Sequence, residues 1–584
     1  MLEQSFIPAF TCFGQAIFGI RLKFTFFKEE RASSFLFVEF APSVVTIHGY
    51  TPQNRRVNSV TLISTASELT RSLKEPMMSS MRLMILLTSL TLIAQESFSQ
   101  DADAEQATHA GFAERDITPE IGMERPGGYR KIFHRSLHDP CKVRAAVFDD
   151  GTNRVAIVSV DALLVRREMV LAARKRIEEK CGIPAGAILI HATHSHSSGP
   201  TGMIYPGEFD HASELVQELA YEKSSAADPK YIVRVENQIV DAVCAANEDQ
   251  RSTQCSAGKG KAEGVAFNRR FRMTSGLTQT HPRPGNPGII EPAGPVDPEV
   301  GVIGAWDAEG NLTGCIVNFV CHATASPGGI SANYIYYVEQ VIRGVFGDEV
   351  VVVFLAGASG DVTQVENMTK YQRRKAEQSS RFVGGTVGAE AVKVLLREEP
   401  GTLTPINFDS TLLKISRRTP RPERVTKSLE LVKKQPAEVG ATEWAFAKEI
   451  VLLDALLEKK PVADVEVQAI QIGPVVLLTD PAEFFCQFGL DIKAGSPFPL
   501  TFPVSLANGC VGYVPTEESF GPRGGGYETR LTGYSNLEIT AGQKMVDAAV
   551  ELSKRLKPGK IPTRPLEAEF TAPWTYGAVP PEVD

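Results

Sequence analysis

Four apolar segments, spaced widely along the 584 residues, each lead into polar residues of the kind that bind metals or transfer protons. In chain order, segments 187–190, 314–321, 350–355 and 472–479 precede His194 and His196, His322, Asp361, and Glu483. Short apolar runs rich in valine and isoleucine predict buried strands. Because the carboxyl ends of parallel strands share one edge of a sheet, the pattern predicts that these side chains meet in one site.

Helical patterns lie between the predicted strands. Residues 154–160 read as a buried strand, residues 165–180 have the spacing and charge of an amphipathic helix, and the histidine strand follows. This order is a βαβ unit, whose crossover is almost always right-handed. We therefore predict an α/β fold with a mixed, largely parallel sheet, flanked by helices, and a zinc site at the carboxyl ends of its strands.

Three histidines fall within six residues, at positions 191, 194 and 196. If residues 187–196 are one extended strand, His194 and His196 point the same way about 7 Å apart, and His191 points to the opposite face. The spacing thus predicts a shared surface for His194 and His196. It predicts a structural role for His191.

Two histidines and a glutamate from separate elements are the ligand set of many catalytic zinc sites, which keep another position for water or substrate. Zinc in such a site lowers the pKa of its bound water from 15.7 to about 7 and polarises a carbonyl. The alternative is that His322 is a hydrogen-bonded core residue. Glu483 would then be only a charge in the first turn of a helix over residues 484–493.

The first hundred residues differ from the rest. Residues 81–99 have a positive start, about twelve mostly apolar residues and then small residues, which is the pattern of a signal peptide. The apolar run is shorter than the roughly 20 residues that span a bilayer; a buried core helix is the alternative. We predict translation from Met77, Met78 or Met81, a mis-assigned or disordered extension over residues 1–80, and a secreted or periplasmic protein.

Charge and cysteine content exclude several classes of protein. The net charge of −8, without long blocks of one sign, argues against a nucleic-acid-binding surface, and nothing predicts an obligate protein partner. Eight of the nine cysteines follow Gln100 and none forms a C-x-x-C pair, which excludes zinc-finger and thioredoxin motifs. Cys244 and Cys255 are spaced to close a local loop by a disulfide.

Five segments, taken together and in order, resemble the neutral (alkaline, non-lysosomal) ceramidase family. They are residues 110–119, residues 193–196 with 198–200, Asn318-Phe319 with His322, residues 360–362, and residues 481–484. The likeness covers roughly residues 110–557. We therefore predict a catalytic domain over residues 107–557 and a tail over residues 558–584.

The resemblance implies a zinc amidase that cleaves ceramide (N-acylsphingosine) by a zinc-activated water. It implies that zinc is bound by His194, His322, Glu483 and a tyrosine, for which Tyr513 is the best match. Tyr527 is the second candidate, either as a ligand or as a donor to the oxyanion. His196 would orient or stabilise the reacting carbonyl. A ceramide-like lipid substrate and peripheral contact with a membrane are the implied partners.

Other positions either depart from the family pattern or still lack an assigned role. Thr363 stands where the family has a serine implicated in catalysis, and its methyl group restricts the side chain. Asp361 is interpreted as an anchor that orients a ligand histidine. Arg270, in the 267–271 segment, is a candidate for the mouth of the site, the alternative being an exposed salt-bridged loop. The roughly 28 residues from Lys557 are too few for the C-terminal β-sandwich of ceramidases.

The sequence thus predicts a secreted zinc-dependent amidohydrolase. Three alternatives remain open. A serine hydrolase is disfavoured because residues 357–360 lack one residue of the G-x-S-x-G elbow. A zinc amidase or esterase with another substrate would share the metal site without the lipid pocket. A zinc-binding homologue with impaired catalysis is the third alternative, suggested by Thr363.

Overall fold

The computed structural model describes residues 107–370, 376–563 and 579–584, and four strands among the first hundred residues. The chain divides into two compact units, Met1–Ala104 and Glu105–Asp584. The strands of the first unit form an antiparallel sheet in the order β1-β2-β3-β4. They are β1 (Arg21–Thr25), β2 (Phe35–Ala41), β3 (Val44–Tyr50) and β4 (Arg56–Ile63). The mis-assigned or disordered extension over residues 1–80 stays a prediction. The predicted signal peptide at 81–99 lies outside the described residues.

Three larger sheets form the second unit. Sheet I contains, in spatial order, β8 (Ile188–Ala192), β7 (Arg154–Val160), β6 (Lys142–Asp149), β5 (His109–Asp116) and β9 (Arg251–Ser252). Sheet II contains β10 (Gln254–Lys261), β15 (Glu299–Trp306), β16 (Leu312–Phe319) and β17 (Val351–Ala356). Sheet III contains β19 (Ile406–Ser416), β20 (Val462–Ile472), β21 (Val475–Thr479) and β23 (Leu500–Val504).

Short strands and helices complete the unit. The short strands are β11 (Phe267–Asn268), β12 (Arg270–Met273), β13 (Thr278–Thr280), β14 (Ile289–Pro292), β18 (Val362–Thr363), β22 (Glu483–Phe484) and β24 (Tyr513–Val514). The described α-helices are α1 (Arg167–Cys181), α2 (Glu214–Gln217), α3 (Pro229–Glu248), α4 (Tyr334–Phe346), α5 (Glu377–Arg397), α6 (Pro422–Val432), α7 (Pro436–Val439), α8 (Ala441–Lys459), α9 (Cys486–Gly495) and α10 (Ala541–Arg555). None of the helices in the described part of the chain is both long enough and apolar enough to cross a membrane.

The mixed α/β class is confirmed, but the prediction of one largely parallel sheet is wrong. Each of sheets I, II and III has a single parallel pair at one edge, namely β7 with β8, β16 with β17, and β21 with β23. Helices α1, α4 and α9 lie between the strands of these pairs. The other strand pairs of the three sheets are antiparallel. Apolar runs fit any strand that is buried on both faces, so they do not by themselves indicate parallel pairing.

The three sheets pack around a shared apolar core. Side chains of β17 alternate, with Val353 and Leu355 in the cluster that reaches sheets I and III, and Val352 and Phe354 in the cluster beneath α4 and α5. Strand β21 divides its side chains between two clusters in the same way. Burial on both faces explains why these strands read as continuous apolar runs. It also brings the ends of strands from three sheets close together.

A group of buried charges ties this core to α4. The Arg144 guanidinium donates to Asp161 Oδ2 at 2.8 Å and, through Nε, to Glu339 Oε2 at 3.0 Å. Lys142 and Arg343 pair with the other oxygen of Glu339. Burial opposes ionisation of Glu339, but these cations lower its pKa to about 2. The group therefore joins β6, the end of β7 and α4 by charge pairs that water hardly reaches.

The suggested Cys244–Cys255 disulfide is wrong. Cys244 on α3 is bonded to Cys181 at the end of α1, with the two Cα atoms 6.0 Å apart. Cys255 is a free, buried thiol on β10. The bond fastens two helices that both pack on sheet I, a proximity that sequence spacing did not indicate.

Candidate metal centre

The histidine segment leaves its strand earlier than the sequence predicted. Strand β8 ends at Ala192, and His194 lies in the left-handed region with a φ of 61°. The prediction of an extended strand through His196, with a separation of about 7 Å, is therefore wrong. Instead the turn brings the His194 and His196 ring centroids to 4.8 Å. His191 is buried, and its Nε2 accepts the backbone N–H of Ala356, which fits the structural role predicted for it.

Four side chains converge at the ends of strands from the three sheets. His194 Nε2 lies 2.9 Å from His322 Nε2 and 3.3 Å from His196 Nε2. The Glu483 carboxylate closes the group, with Oε2 at 3.3 Å from His194 Nε2 and 3.4 Å from His322 Nε2. The ring nitrogens of the three histidines all lie within 4.8 Å of one another, which makes this cluster a possible metal site.

Backbone carbonyls fix the two inner histidines in one orientation. His194 Nδ1 is 2.7 Å from Leu163 O, and His322 Nδ1 is 3.1 Å from Ser359 O. Because a carbonyl only accepts, each Nδ1 must carry the proton, which leaves each neutral Nε2 as a bare lone pair. Two such lone pairs and a carboxylate oxygen then face one another without a hydrogen between them. That arrangement is repulsive unless a cation lies among them, either a metal ion or a second proton on one of the imidazole rings.

Glu483 supplies a second indication of a cation. Its Oε2 is buried and has no hydrogen-bond partner in the described structure, a costly state for a carboxylate oxygen. Burial opposes ionisation of Glu483, but His194, Arg269 and Tyr513 together hold its pKa below the usual range. A tetrahedral zinc with bonds of roughly 2.0–2.1 Å places its ligand atoms about 3.3–3.4 Å apart. The two separations from Glu483 Oε2, 3.3 and 3.4 Å, agree with that requirement, and the 2.9 Å between the two Nε2 atoms is shorter.

His196 and His322 are held neutral. Burial, followed by the nearby His194, lowers the pKa of His196 to about 3. Burial and the same neighbour hold the pKa of His322 well below its ordinary value. Neutral imidazole is the form that binds a metal. The cluster is therefore prepared for a cation at neutral pH.

Two tyrosines and an arginine form one wall beside the carboxylate. Strands β22 and β24 pair in parallel, which sets Glu483 directly opposite Tyr513. The Tyr513 hydroxyl is 3.0 Å from the Tyr527 hydroxyl and accepts from Arg269 Nη2 at 3.1 Å. Arg269 is buried against Glu528, which it contacts at 3.1 Å. Tyr513 and Tyr527, both candidates from the sequence, are thus at the site. They lie next to Arg269, which was not predicted from the sequence.

Three other sequence-predicted residues do not reach the histidines as expected. Asp361 accepts the Cys486 N–H and the Asn268 side-chain amide, so it caps α9 and does not orient a ligand histidine. Thr363 is buried on β18, and its hydroxyl accepts the Val365 N–H. Arg270 packs over the Phe485 ring and donates to Ser519 and Gly525. Glu483 precedes α9, so its predicted place in the first turn of that helix is also wrong.

Sequence reasoning missed two residues near the cluster. Arg269 differs from Arg270 by one position, and successive residues of an extended chain face opposite ways, so a local irregularity decides which one reaches the site. Gly127 has a φ of 106°, and a Cβ at this position would lie 2.2 Å from His196 Nδ1. The Pro126-Gly127-Gly128 sequence was the available signal for this close approach.

Asp480, three residues before Glu483, is a buried carboxyl without a cation. Burial raises its pKa to about 8, although Oδ1 accepts the Ala482 N–H and Oδ2 accepts from the Ser505 hydroxyl. In the unfolded chain the Asp480 carboxyl ionises near pH 4, whereas in the folded protein it keeps its proton up to about pH 8. Asp480 therefore lowers the free energy of unfolding progressively between about pH 4 and pH 8.

We expect Asp480→Asn to stabilise the protein at pH 8 by roughly 1–3 kcal/mol, because the amide does not ionise. Its oxygen can still accept the Ala482 N–H, and its nitrogen can donate to the Ser505 oxygen. Denaturant unfolding at pH 8 and at pH 4 measures the effect. The gain should largely disappear at pH 4, where the folded carboxyl is neutral and the unfolded one is only partly ionised. A variant that is equally or less stable at pH 8 would contradict the assignment of Asp480 as a neutral buried acid.

No protein-family model matches the sequence, and no curated protein matches it either. Solved structures do match. The neutral ceramidase from Pseudomonas aeruginosa aligns with a TM-score of 0.56 and 20% identity over 79% of this chain and 77% of that one. A ceramidase complexed with a compound designated C2 aligns with a TM-score of 0.57 and 20% identity over 80% of this chain and 78% of that one. The resemblance seen in the sequence motifs is thus confirmed at the level of the fold.

Proposed function

We propose that this chain, which has the fold of neutral ceramidase, is a secreted zinc-dependent hydrolase that cleaves the amide bond of ceramide or a closely similar lipid. The observation that carries the proposal is the convergence of His194, His322 and Glu483, whose metal-binding atoms lie 2.9, 3.3 and 3.4 Å from one another. The neighbouring solved structures support the choice of amide hydrolysis, since both are named ceramidases. No other cluster of three or more metal-binding side chains occurs among the described residues.

His194, His322 and Glu483 would hold the metal, with His196 and Tyr513 at its edge. Two imidazoles and one carboxylate are a donor set typical of catalytic zinc. When bound there, zinc would supply a Lewis acid and lower the pKa of a water molecule into the neutral range. The buried, partnerless Oε2 of Glu483 supports this assignment independently of the histidine spacing.

The chain's own residues would bind and orient the reacting carbonyl. His196 is the only partly exposed member of the histidine cluster, so a substrate reaches it first. Its neutral ring can donate one hydrogen bond to a carbonyl oxygen. Arg269 donates to the Tyr513 oxygen, and the 3.0 Å contact between the Tyr513 and Tyr527 hydroxyls uses one of their two protons. With Tyr513 as the donor in that contact, the Tyr527 proton is available for a neighbouring acceptor. Burial raises the pKa of Tyr527, so its hydroxyl stays protonated.

We expect Tyr527→Phe to lower kcat by about 10²–10³-fold, the usual cost of losing one oxyanion donor. KM and bound metal should change little, because the hydroxyl acts on charge that develops during the reaction. Steady-state kinetics together with metal analysis of the variant test this. Tyr534→Phe is the matched control, since the Tyr534 hydroxyl faces Cys510 Sγ at 3.4 Å instead. An equal loss of kcat in the two variants would show that Tyr527 is not an oxyanion donor.

A second candidate is hydrolysis of a more polar amide or ester at the same site. A cavity with about 700 Å³ of empty space, including its open part, is lined by Tyr129 and Tyr534 next to the metal cluster. Its wall also carries the Lys448–Glu449 and Arg166–Glu208 ion pairs. Charged groups in such a wall suit a polar substrate portion better than a hydrocarbon chain.

Turnover of matched substrates separates the two candidates. The metal-loaded protein is offered a fluorescent ceramide, an N-acyl amide with the same acyl chain and a small polar amine, and the corresponding ester. The proposal expects the highest kcat/KM for ceramide. A clear preference for the polar amide or the ester supports the second candidate. Folded, zinc-loaded protein that turns over none of them would contradict both and indicate a zinc-binding homologue with impaired catalysis.

Secretion or export to the periplasm is part of the proposal. The pattern of residues 81–99 supports it, and the Cys181–Cys244 disulfide is compatible with an oxidising compartment. Amino-terminal sequencing of the native protein tests it. A mature terminus near Gln100 is expected, and a terminus upstream of Met77 would contradict the proposal.

A further inference from the structure

A hairpin formed by residues 123–134 borders the metal cluster. Arg125 N donates to Ile132 O at 2.7 Å, and His134 N donates to Met123 O at 2.9 Å. His134 Nε2 lies 2.8 Å from Ser198 O, which ties the hairpin to the loop that follows His196. At its turn, Gly127 lies directly against the His196 ring. One side of this hairpin is therefore part of the wall of the site.

The other side of the hairpin is cationic, with Arg130 and Arg135 exposed and Arg125 and Lys131 half-buried. The cations of the hairpin and the adjoining residue are Arg125, Arg130, Lys131 and Arg135. They line one surface depression together with Phe133. None of the four has an ion-pair partner within 4.0 Å among the described residues. The nearby Glu124 is buried and accepts the Ala226 N–H, so it faces inward. A local excess of positive charge thus stands out on a chain whose net charge is −8.

Large apolar side chains lie beside these cations. Phe133 and Leu137 are each more than half exposed, at 55% and 54%, and Ile121 is 61% exposed. Ile132, at 37%, completes the group. Exposed apolar side chains that are flanked by cations are the combination by which a peripheral protein enters the headgroup region of an anionic bilayer. Binding to a nucleic acid would use the cations but not the aliphatic side chains.

We propose that this basic apolar surface, formed by residues 121–137, docks on membranes that contain anionic phospholipid. Docking there would place the mouth of the metal site at the lipid surface, because the same hairpin touches both. The inference rests on the proposed function, because docking on a membrane brings the site to its substrate only if that substrate is a membrane lipid. The membrane contact itself depends only on charge and exposed apolar area.

The test is sedimentation of the full-length protein with lipid vesicles. Vesicles of phosphatidylcholine alone are compared with vesicles in which part of it is replaced by phosphatidylglycerol. We expect binding to the second kind, and binding that weakens as salt is raised. The triple variant Arg130→Gln, Lys131→Gln, Arg135→Gln should bind on the order of 100-fold more weakly, at about five-fold per cation removed. Phe133→Ser should weaken binding by about ten-fold.

A charge-matched triple variant provides the control. Lys427→Gln, Lys433→Gln, Lys434→Gln removes three exposed cations in and after α6, and it should bind vesicles like the unaltered protein. The inference is overturned if the unaltered protein does not bind the anionic vesicles, if both triple variants bind equally well, or if inorganic phosphate at matched ionic strength displaces the protein. Preference for an oligonucleotide over the vesicles also overturns it.

Hydrolysis of a water-soluble short-chain ceramide separates this inference from the proposed function. The first triple variant should keep that activity, because none of its three positions belongs to the metal cluster. Loss of vesicle binding with retained short-chain turnover supports the docking surface. Vesicle binding by a protein without any turnover would leave the docking surface standing and contradict the proposed function. Normal turnover without vesicle binding would support the proposed function and contradict the docking surface.

Discussion

Glu483→Gln is expected to lose both its metal and its hydrolytic activity. The carboxylate is the negative member of a group whose other two atoms are neutral ring nitrogens. An amide has the same shape but no charge, and one of its two ends carries protons that would oppose a cation. Because the metal contributes several kcal/mol of transition-state stabilisation, turnover should fall by about 10³-fold or more.

The carboxyl of Asp480 offers a close control for this experiment. Asp480→Asn makes the same chemical change three residues away, in a side chain that bonds Ala482 and Ser505 and lies outside the cluster. It should retain metal and turnover. Metal analysis and kinetics are measured on both variants after each is shown to fold. If Glu483→Gln keeps its metal and most of its activity, the assignment of Glu483 as a ligand is wrong.

Arg144→Met is expected to cause the largest loss of stability among single substitutions outside the site. Arg144 is 1% exposed and neutralises Asp161 and Glu339, both equally buried. Its removal leaves carboxylates in the core without their principal cation, a change that typically costs about 3–5 kcal/mol. Denaturant unfolding at neutral pH measures the difference. The unfolding midpoint should fall while the slope stays the same.

The triple variant Arg144→Met, Asp161→Asn, Glu339→Gln distinguishes charge from packing. If the single variant fails because of unpaired charge, neutralising both carboxylates should recover much of the stability. A triple variant as unstable as Arg144→Met would show that the loss comes from packing instead. The low pKa of Glu339 also predicts acid sensitivity. Its stabilising contribution is complete above its ordinary pKa of 4.5 and is lost as pH falls toward about 2.

The sequence was most informative about the positions of buried strands and helices and about the polar residues that follow the strands. The strand over residues 154–160 was predicted with its observed bounds, and helix α1 lies within two residues of its predicted ends. Hydrophobic periodicity reports burial, and burial is what these elements have in common. For the same reason, the strand ends alone nominated His194, His196, His322, Asp361 and Glu483, and the resemblance to neutral ceramidases then implied which of them bind zinc.

The arrangement of the sheets could not be obtained in the same way. Pairing between β16 and β17 or between β21 and β23 depends on contacts across long stretches of chain, to which local periodicity is insensitive. Burial on both faces made these strands look like members of one parallel sheet. In fact they belong to two sheets that share a core.

Within the site, the errors came from single backbone turns. The left-handed conformation of His194 ends the strand early and brings the two ring centroids to 4.8 Å, well short of the 7 Å expected, and nothing in the local residue pattern required it. The choice between Arg269 and Arg270 rested on one residue of register, which reverses the direction of a side chain. Asp361 was correctly placed at a strand end, but it caps α9 because the Cys486 N–H lies within reach.

The most direct test of the central claim is zinc content and ceramide turnover measured on the same sample of purified full-length protein. The account predicts about one zinc ion per chain, loss of turnover on chelation and its return when zinc is added back. His194→Ala should contain no zinc and show no turnover. Steady hydrolysis of ceramide by folded, metal-free protein would contradict the account, and so would folded protein that binds no zinc at all.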